Sequence, residues 1–485
     1  MAGIRRARAR SLGSSRSGNG APLPHFRWSV ADPYIRQEAM DARTAIRWTN
    51  KSALALSAND DPIAVIQGAA RSLVLKARER GWEGPPFNPL KIVEMLGATA
   101  SANANIADAR LIPSSDGPVI EYNPQQARER VRFSIAHEVA HMLFPDWAEE
   151  VRNRGGSPSP DDWQLEMLCN IAASEFVLPI GSLPHGIANA TIEDLMRERR
   201  SFDVSTEAFL IRFANVTEAP VSVFFASPGE SEETGRYYRI DYSVASPLAP
   251  WTLTQGRTLP RTSAAYSCTA IGHTDRADES WFTGQTSRIE YVGISGYPGS
   301  RYPRVAGVVR HEASDGDKTP IRYVHGDVTK PLGPGPRIIC QLVNDRAIRW
   351  GGGVAKSFAR RYPEAEAAFS EGVMKVPPRE RLGRVVTVPL NHEIRLASIV
   401  GQEGYGPSLF PRIRYSALQG GLAEIAEIAA ASHASVHMPR IGAGSAGGEW
   451  GVIEEMVEDE FVRRGVPVTV YDLPPRRQQL DLFGG

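Results

Sequence analysis

His137, Glu138 and His141 stand in the order His-Glu-Val-Ala-His within QQARERVRFSIAHEVAHMLF, a stretch whose apolar residues recur at helical spacing. On a helix, residues four apart lie one turn apart on one face. Two imidazoles placed that way can hold one metal ion, with Glu138 beside them to take a proton from a water that the ion carries. A third ligand is still needed. The next helical stretch, DDWQLEMLCNIAASEFVLP, offers Glu166 on the same face as Asn170 and Ala173. With His137, His141 and Glu166 as ligands, a Zn2+ ion would keep its fourth position for water, as a catalytic site requires. Glu175 is a rival third ligand from a different helical face, and Cys169 reads as a small packing residue although its thiol can bind metal. A core helix with incidental histidines is the plainer alternative. Against it, Ala136, Ala140 and Phe144 supply packing around the motif, and the following helix brings an acid within reach.

A second set of residues points to a different chemistry. Gly351, Gly352 and Gly353, followed by Val354, open a helix after the apolar strand RIICQLVN. Glycines there let backbone N–H groups come close to phosphate oxygens, and the helix N-terminus adds a favourable dipole. A similar loop, RIGAGSAGGEW, carries Gly442, Ala443, Gly444, Ser445, Ala446 and Gly447 between a strand and a helix. Two such loops at strand C-termini suit a diphosphate lying across a sheet edge. Each loop alone is weak evidence, since tight turns also use glycine.

The elements that must position these groups fall into five stretches. Residues 1–50 form an Arg-, Ser- and Gly-rich tail read as disordered; 51–230 are mostly helical with short strands, ending in the strand PVSVFFA; 235–315 are β-rich. From 320 to 474, strands and helices alternate, which means a largely parallel sheet between helices, and 475–485 form a flexible tail. The expected fold is therefore multidomain: an α+β unit, a small β-rich middle domain and an α/β three-layer domain.

At this point resemblances become specific. RFSIAHEVAHMLFPD followed by EMLCNIAASEFVLP resembles the ImmA/IrrE metallopeptidase family, over roughly residues 60 to 228. The resemblance implies zinc, a gluzincin-like fold and limited proteolysis of a regulatory protein in a stress response, often a helix-turn-helix repressor. Glu138 would be the general base, with His137, His141 and Glu166 as ligands. Cys169 stands where that family usually has Ala, while Asn170 and Pro179 match. The middle segment is similar to the GAF-like sensory domain of longer relatives. GDVT, VN…GGGVA and HMPRIGAGSAGGEW resemble macro domains, near the terminal ADP-ribose protein glycohydrolase and the ALC-type remodeller, over about 321 to 473. This implies ADP-ribose or an ADP-ribosylated macromolecule as partner, with Asp327 at the adenine amino group, Asn344 near the distal ribose and the two glycine loops around the diphosphate.

Departures matter for activity. Ala446 stands where the glycohydrolase branch has a catalytic Asp, Gln402 where it has Lys, and Ala355 where another branch has Asp. A binder is thus favoured over a hydrolase. The alternative function is an ADP-ribosyl hydrolase or phosphatase using Asp345, His392 or His437, with the peptidase-like part serving for targeting. The end of the chain, with Gln479, Leu480, Leu482 and Phe483, resembles the peptide that binds the DNA polymerase sliding clamp.

Bulk properties restrict the setting. Lys+Arg and Asp+Glu balance at 55 each, so there is no whole-chain bias toward nucleic acid or membrane. Cys169, Cys268 and Cys340 are too scattered for a disulfide framework, no apolar run reaches a membrane span, and no apolar stretch follows the basic start. A cytoplasmic protein without a membrane partner is the expectation.

Overall fold

The computed structural model describes residues 46–473, apart from 59, 150–159, 185, 232–234, 282–283, 285, 297–299, 313–320 and 347–348. The basic tail up to residue 45 and the clamp-type peptide Gln479–Phe483 lie outside the described residues.

Helix α1 (Lys51–Ser57) starts at Asn50, whose side chain accepts from the Ser52 and Ala53 amides. Asp61 does the same for α2 (Pro62–Glu79), which has Pro at its first position. After α3 (Leu90–Met95), strands β1 (Thr99–Ala102), β2 (Ala109–Ile112) and β3 (Val119–Tyr122) form a small sheet in the order β1-β3-β2, so β2 is an edge. Helix α4 (Arg128–His141) carries the His-Glu-Val-Ala-His motif in its last two turns, and α5 (Asp162–Val177) packs beside it. Their buried faces carry Ala136, Val139, Ala140, Leu168, Ala172 and Ala173, each 0% exposed. Small side chains allow the two backbones to approach, so that polar residues on the same faces can meet. Helices α6 (Ile192–Phe202) and α7 (Thr206–Val216) follow, capped by Thr191 and Ser205.

Strand β4 (Val221–Ser231) takes in all of PVSVFFA but its Pro220, a stretch expected to complete the helical unit. It pairs instead with β5 (Gly235–Ala245) and β8 (Arg304–Arg310) in an antiparallel sheet ordered β5-β4-β8-β7-β6, with β6 at Thr274–Glu279 and β7 at Ser287–Ile294. The reason is burial on both faces. Val221, Val223 and Phe225 join the core shared with the helices, while Phe224 and Ala226 face Tyr238, Ile240, Leu253 and Leu259.

The third sheet runs β11-β12-β10-β13-β14-β9. Its strands are β9 (Arg322–His325), β10 (Arg337–Asn344), β11 (Val385–Pro389), β12 (Ile394–Gln402), β13 (Ser435–Pro439) and β14 (Val468–Asp472). All neighbours are parallel except β11 and β12. Ile338 and Cys340 pack toward α10 (Tyr415–Ser432) and α11 (Trp450–Glu460), and Ile339 and Val343 toward α8 (Gly353–Arg361) and α9 (Pro363–Met374). This gives three layers. The stretch AKSFARRYPEAEAAF reads as one helix but is two, because Pro363 disfavours helical backbone at Tyr362. Parallel pairing gathers the loops after His325, Asn344, Gln402, Pro439 and Asp472 at one carboxyl edge.

Candidate functional site

One turn apart on α4, His137 and His141 bring their Nε2 atoms to 3.2 Å from each other, with the rings 72° apart. Glu166 of α5 meets both: its Oε2 is 2.9 Å from His137 Nε2 and its Oε1 3.7 Å from His141 Nε2. Donor atoms around a tetrahedral zinc with bonds near 2.0 Å stand about 3.3 Å apart. The three separations bracket that value. The far nitrogen of the His137 ring lies 3.0 Å from Asn170 Oδ1, one turn beyond Glu166. With Nδ1–H donating there, Nε2 presents its lone pair toward His141 and Glu166. Burial pulls the His137 pKa down, but the Glu166 hydrogen bond and the charges of Glu166 and Glu138 outweigh it, so the net shift is upward. A field that favours a proton there also favours a metal cation.

Cys169, read from sequence as packing, lies 3.3 Å from His141 Nδ1. Donor atoms of His137, His141 and Cys169 fall within 4.8 Å of one another, which makes a second possible ligand set. Both rings turn Nε2 toward the Glu166 carboxylate, whereas Cys169 approaches His141 at Nδ1. Cys169 sits behind the His141 ring, where it can hold the ring's orientation. Glu175, the rival acid, accepts from the Ile180 amide at 2.8 Å and faces Arg71 and Arg212. Glu138 is 6% exposed and accepts from the Leu111 amide at 2.9 Å. That amide points away from β3, so Glu138 stands at the outer edge of β2.

The second set meets at the carboxyl edge of the third sheet. Asp327, exposed just after β9, accepts from the Thr329 amide at 2.9 Å. Asn344, the last residue of β10, accepts from the Arg346 amide at 3.0 Å. Gly351, Gly352 and Gly353 are exposed, Gly353 has φ +57°, and a Cβ on any of them would meet nothing within 4 Å. Helix α8 begins there with no side-chain cap, and Val354 is half-buried. In the second loop, a Cβ on Gly442 would meet Ile413 at 2.7 Å, whereas Gly444 borders open space. Ala443 and Ser445 flank Gly444, and Gly447 has φ +71°. Ala446 is buried and its carbonyl accepts from the Arg412 and Ile413 amides at 2.8 and 3.0 Å.

The residues considered for hydrolysis have structural duties. Asp345 accepts from the Gly404 amide at 2.7 Å, and Gln402 donates to the Gly404 carbonyl at 2.9 Å. His437 is buried between Ser435 and Tyr471, and burial pushes its pKa down to about 4. His392 is exposed in the turn between β11 and β12.

Sequence reasoning missed one wall of this edge. The loop 403–412 starts beside Asn344 and ends beside Ala446. Arg412 ties it by donating to the carbonyls of Gly406 and Pro407 at 2.9 and 2.8 Å. Tyr405, Leu409 and Phe410 are 68%, 97% and 56% exposed on it. The signal was a Tyr and a Leu-Phe pair inside GYGPSLFP, which reads as a turn.

Residues 98–214 match the family model of the IrrE N-terminal-like domain. The chain is 34% identical over 170 residues to Chromodomain-helicase-DNA-binding protein 1-like of Mus musculus, covering 33% of this chain and 18% of that protein. It is 32% identical over 172 residues to the protein of the same name in Danio rerio, covering 34% and 16%. The chain thus spans under a fifth of the length of the curated relatives it matches. A solved structure of a macrodomain protein from Streptomyces coelicolor is 38% identical, covering 32% of this chain and 99% of that one, with a TM-score of 0.28. Residues 98–214 are thus similar to the IrrE N-terminal-like domain, and about a third of the chain is similar in sequence to a macrodomain protein.

Proposed function

We propose that the N-terminal half is a zinc-dependent endopeptidase that cleaves a regulatory protein, a helix-turn-helix repressor being the substrate class the family resemblance favours. The observation that carries this is the meeting of two Nε2 atoms and one carboxylate across α4 and α5. His137, His141 and Glu166 would hold the ion, and Asn170 orients His137. Zinc, when bound, supplies a Lewis acid for the scissile carbonyl and acidifies water. Glu138 then serves as general base, accepting the proton of the attacking water and passing it to the leaving amine. β2 is a sheet edge beside Glu138, and an extended substrate whose main chain adds there as a strand would take the Leu111 amide from the Glu138 carboxylate. Capture of partners by the Glu138→Gln protein, identified by mass spectrometry, tests this reading. Cleavage of a captured partner by the wild-type protein supports it; a captured set that wild-type protein leaves intact counts against it.

The C-terminal part is read as a binder of ADP-ribose or ADP-ribosylated macromolecules. Asp327 would take the adenine amino group, Asn344 the distal ribose, and residues 351–354 and 442–447 the diphosphate. Binding is favoured over hydrolysis because Ala446, Gln402 and Ala355 lack the needed groups while Asp345 and His437 are committed elsewhere. Isothermal titration with ADP-ribose, followed by product analysis, separates the two. The GAF-like sensory role of the middle sheet, the clamp tether at Gln479, Leu480, Leu482 and Phe483, and the cytoplasmic setting in a stress response rest on the sequence alone. Loss of clamp binding on Phe483→Ala is the measurement that tests the tether.

A further inference from the structure

The second glycine loop is held in place by the peptidase half of the chain. Arg78, in the last turn of α2, is 3% exposed. One of its Nη atoms donates to both oxygens of Glu449 at 2.7 Å, and the other to the Ile180 carbonyl at 3.4 Å. The Phe87 ring lies against its guanidinium at 4.7 Å. Glu449 closes the loop and is the N-cap residue of α11; its own amide donates to the Tyr415 hydroxyl at 2.8 Å. Glu79, next to Arg78, accepts from the Tyr415 amide at 2.7 Å. Two neighbouring residues of α2 therefore fix Glu449 and Tyr415, which bracket the loop's exit.

A further contact is backbone on backbone. Gly181, in the turn after α5, has φ +68°, and a Cβ on it would stand 2.3 Å from the Val452 amide nitrogen in the first turn of α11. Its amide donates to Glu455 at 2.7 Å, and Arg212 of α7 reaches the same carboxylate at 2.7 Å. Buried charges of this kind contribute little net adhesion after desolvation, but they admit only one register between the surfaces that carry them.

The structure assigns Arg78, Glu79 and Gly181 as positioning residues for the nucleotide edge: the peptidase helices set loop 440–448 in the shape that receives a diphosphate. This rests on the ADP-ribose reading above. The Gly181 turn continues from α5, which bears Glu166 and Asn170, so one continuous stretch of chain links the two sites. By linkage, any effect of metal on nucleotide affinity must equal the effect of nucleotide on metal affinity.

The test is titration of ADP-ribose into the full chain as wild type and as Arg78→Met, Arg78→Lys, Glu79→Gln and Gly181→Ala, with zinc content and far-UV dichroism measured on each. Arg78→Met and Gly181→Ala should weaken binding roughly 5-fold or more. Glu79→Gln should weaken it less, and Arg78→Lys should recover part of the loss, all with zinc content intact. Should Arg78→Met fail to fold, Glu449→Gln removes the same ion pair from the other side. Affinity unchanged in Arg78→Met and Gly181→Ala, or lost only in step with zinc content, overturns the assignment and leaves the nucleotide reading standing. A wild-type chain that does not bind ADP-ribose overturns both.

Discussion

Where α4 meets α5, five side chains from two helices converge in a largely buried space, and each ring nitrogen there faces a polar neighbour. At the carboxyl edge of the third sheet, several glycine positions border open space, and several side chains nearby are already engaged with backbone. The first region is specified by residue identity: a carboxylate or imidazole replaced there is a function removed. The second is specified by what is absent, because a negative charge there would stand against the ligand's phosphates. The difference predicts opposite responses to substitution.

The largest effect is expected at Glu138. Its replacement by Gln should slow cleavage of a captured partner by about 10²–10⁴-fold while zinc content stays whole; cleavage at the wild-type rate breaks the side-chain half of the comparison. Next comes Gly352→Glu, which sets a carboxylate against a diphosphate. Like-charge contact costs several kcal/mol, so ADP-ribose affinity should fall on the order of a hundredfold. Gly352→Ala should have little effect, since the added methyl meets nothing. Equal losses for Ala and Glu in calorimetry would show that the loop excludes bulk and not only charge. A smaller effect belongs to Asn170→Ala, expected to weaken zinc binding about 10–100-fold in a chelator competition through the freed His137 ring. Unchanged competition would remove Asn170 from the account.

The smallest effect concerns acid. His437 is buried neutral with its pKa pushed down to about 4, below the usual value near 6.5. The unfolded chain therefore binds more protons between those limits, and stability is full above about pH 6.5 and declines as pH falls toward 4. His437 should contribute about 2 kcal/mol to the loss that urea unfolding shows between pH 7 and pH 5. His437→Gln should make that slope shallower, with the part due to half-buried His311 remaining, and an identical slope would place the acid sensitivity elsewhere.

How far these regions could be read beforehand follows from the range of the interactions. The spacing of His137, Glu138 and His141 is a local periodicity, and Glu166 and Asn170 repeat it one helix later, so their common faces are visible in the residues themselves. That Cys169 stands behind His141 depends on how far α5 is rotated, which no local pattern encodes. Strand β4 follows the helices in sequence, yet its partners are Gly235–Ala245 and Arg304–Arg310, the latter about eighty residues away. The glycine loops announce themselves by composition. Loop 403–412 does not, since its Pro and Gly mark a turn without saying that Tyr405 and Leu409 stay exposed beside Asn344. The ion pairs that fix Glu449 and Glu455 join residues more than two hundred positions apart and are legible only in three dimensions.

Zinc-edge anomalous diffraction from crystals grown with zinc tests the central claim most directly. One ion bonded to His137 Nε2, His141 Nε2 and a Glu166 oxygen, at about 2.0–2.2 Å with one position left for water, is the predicted result. An ion held by Cys169 and His141 Nδ1 with Glu166 turned away, or no anomalous peak between α4 and α5, would contradict it.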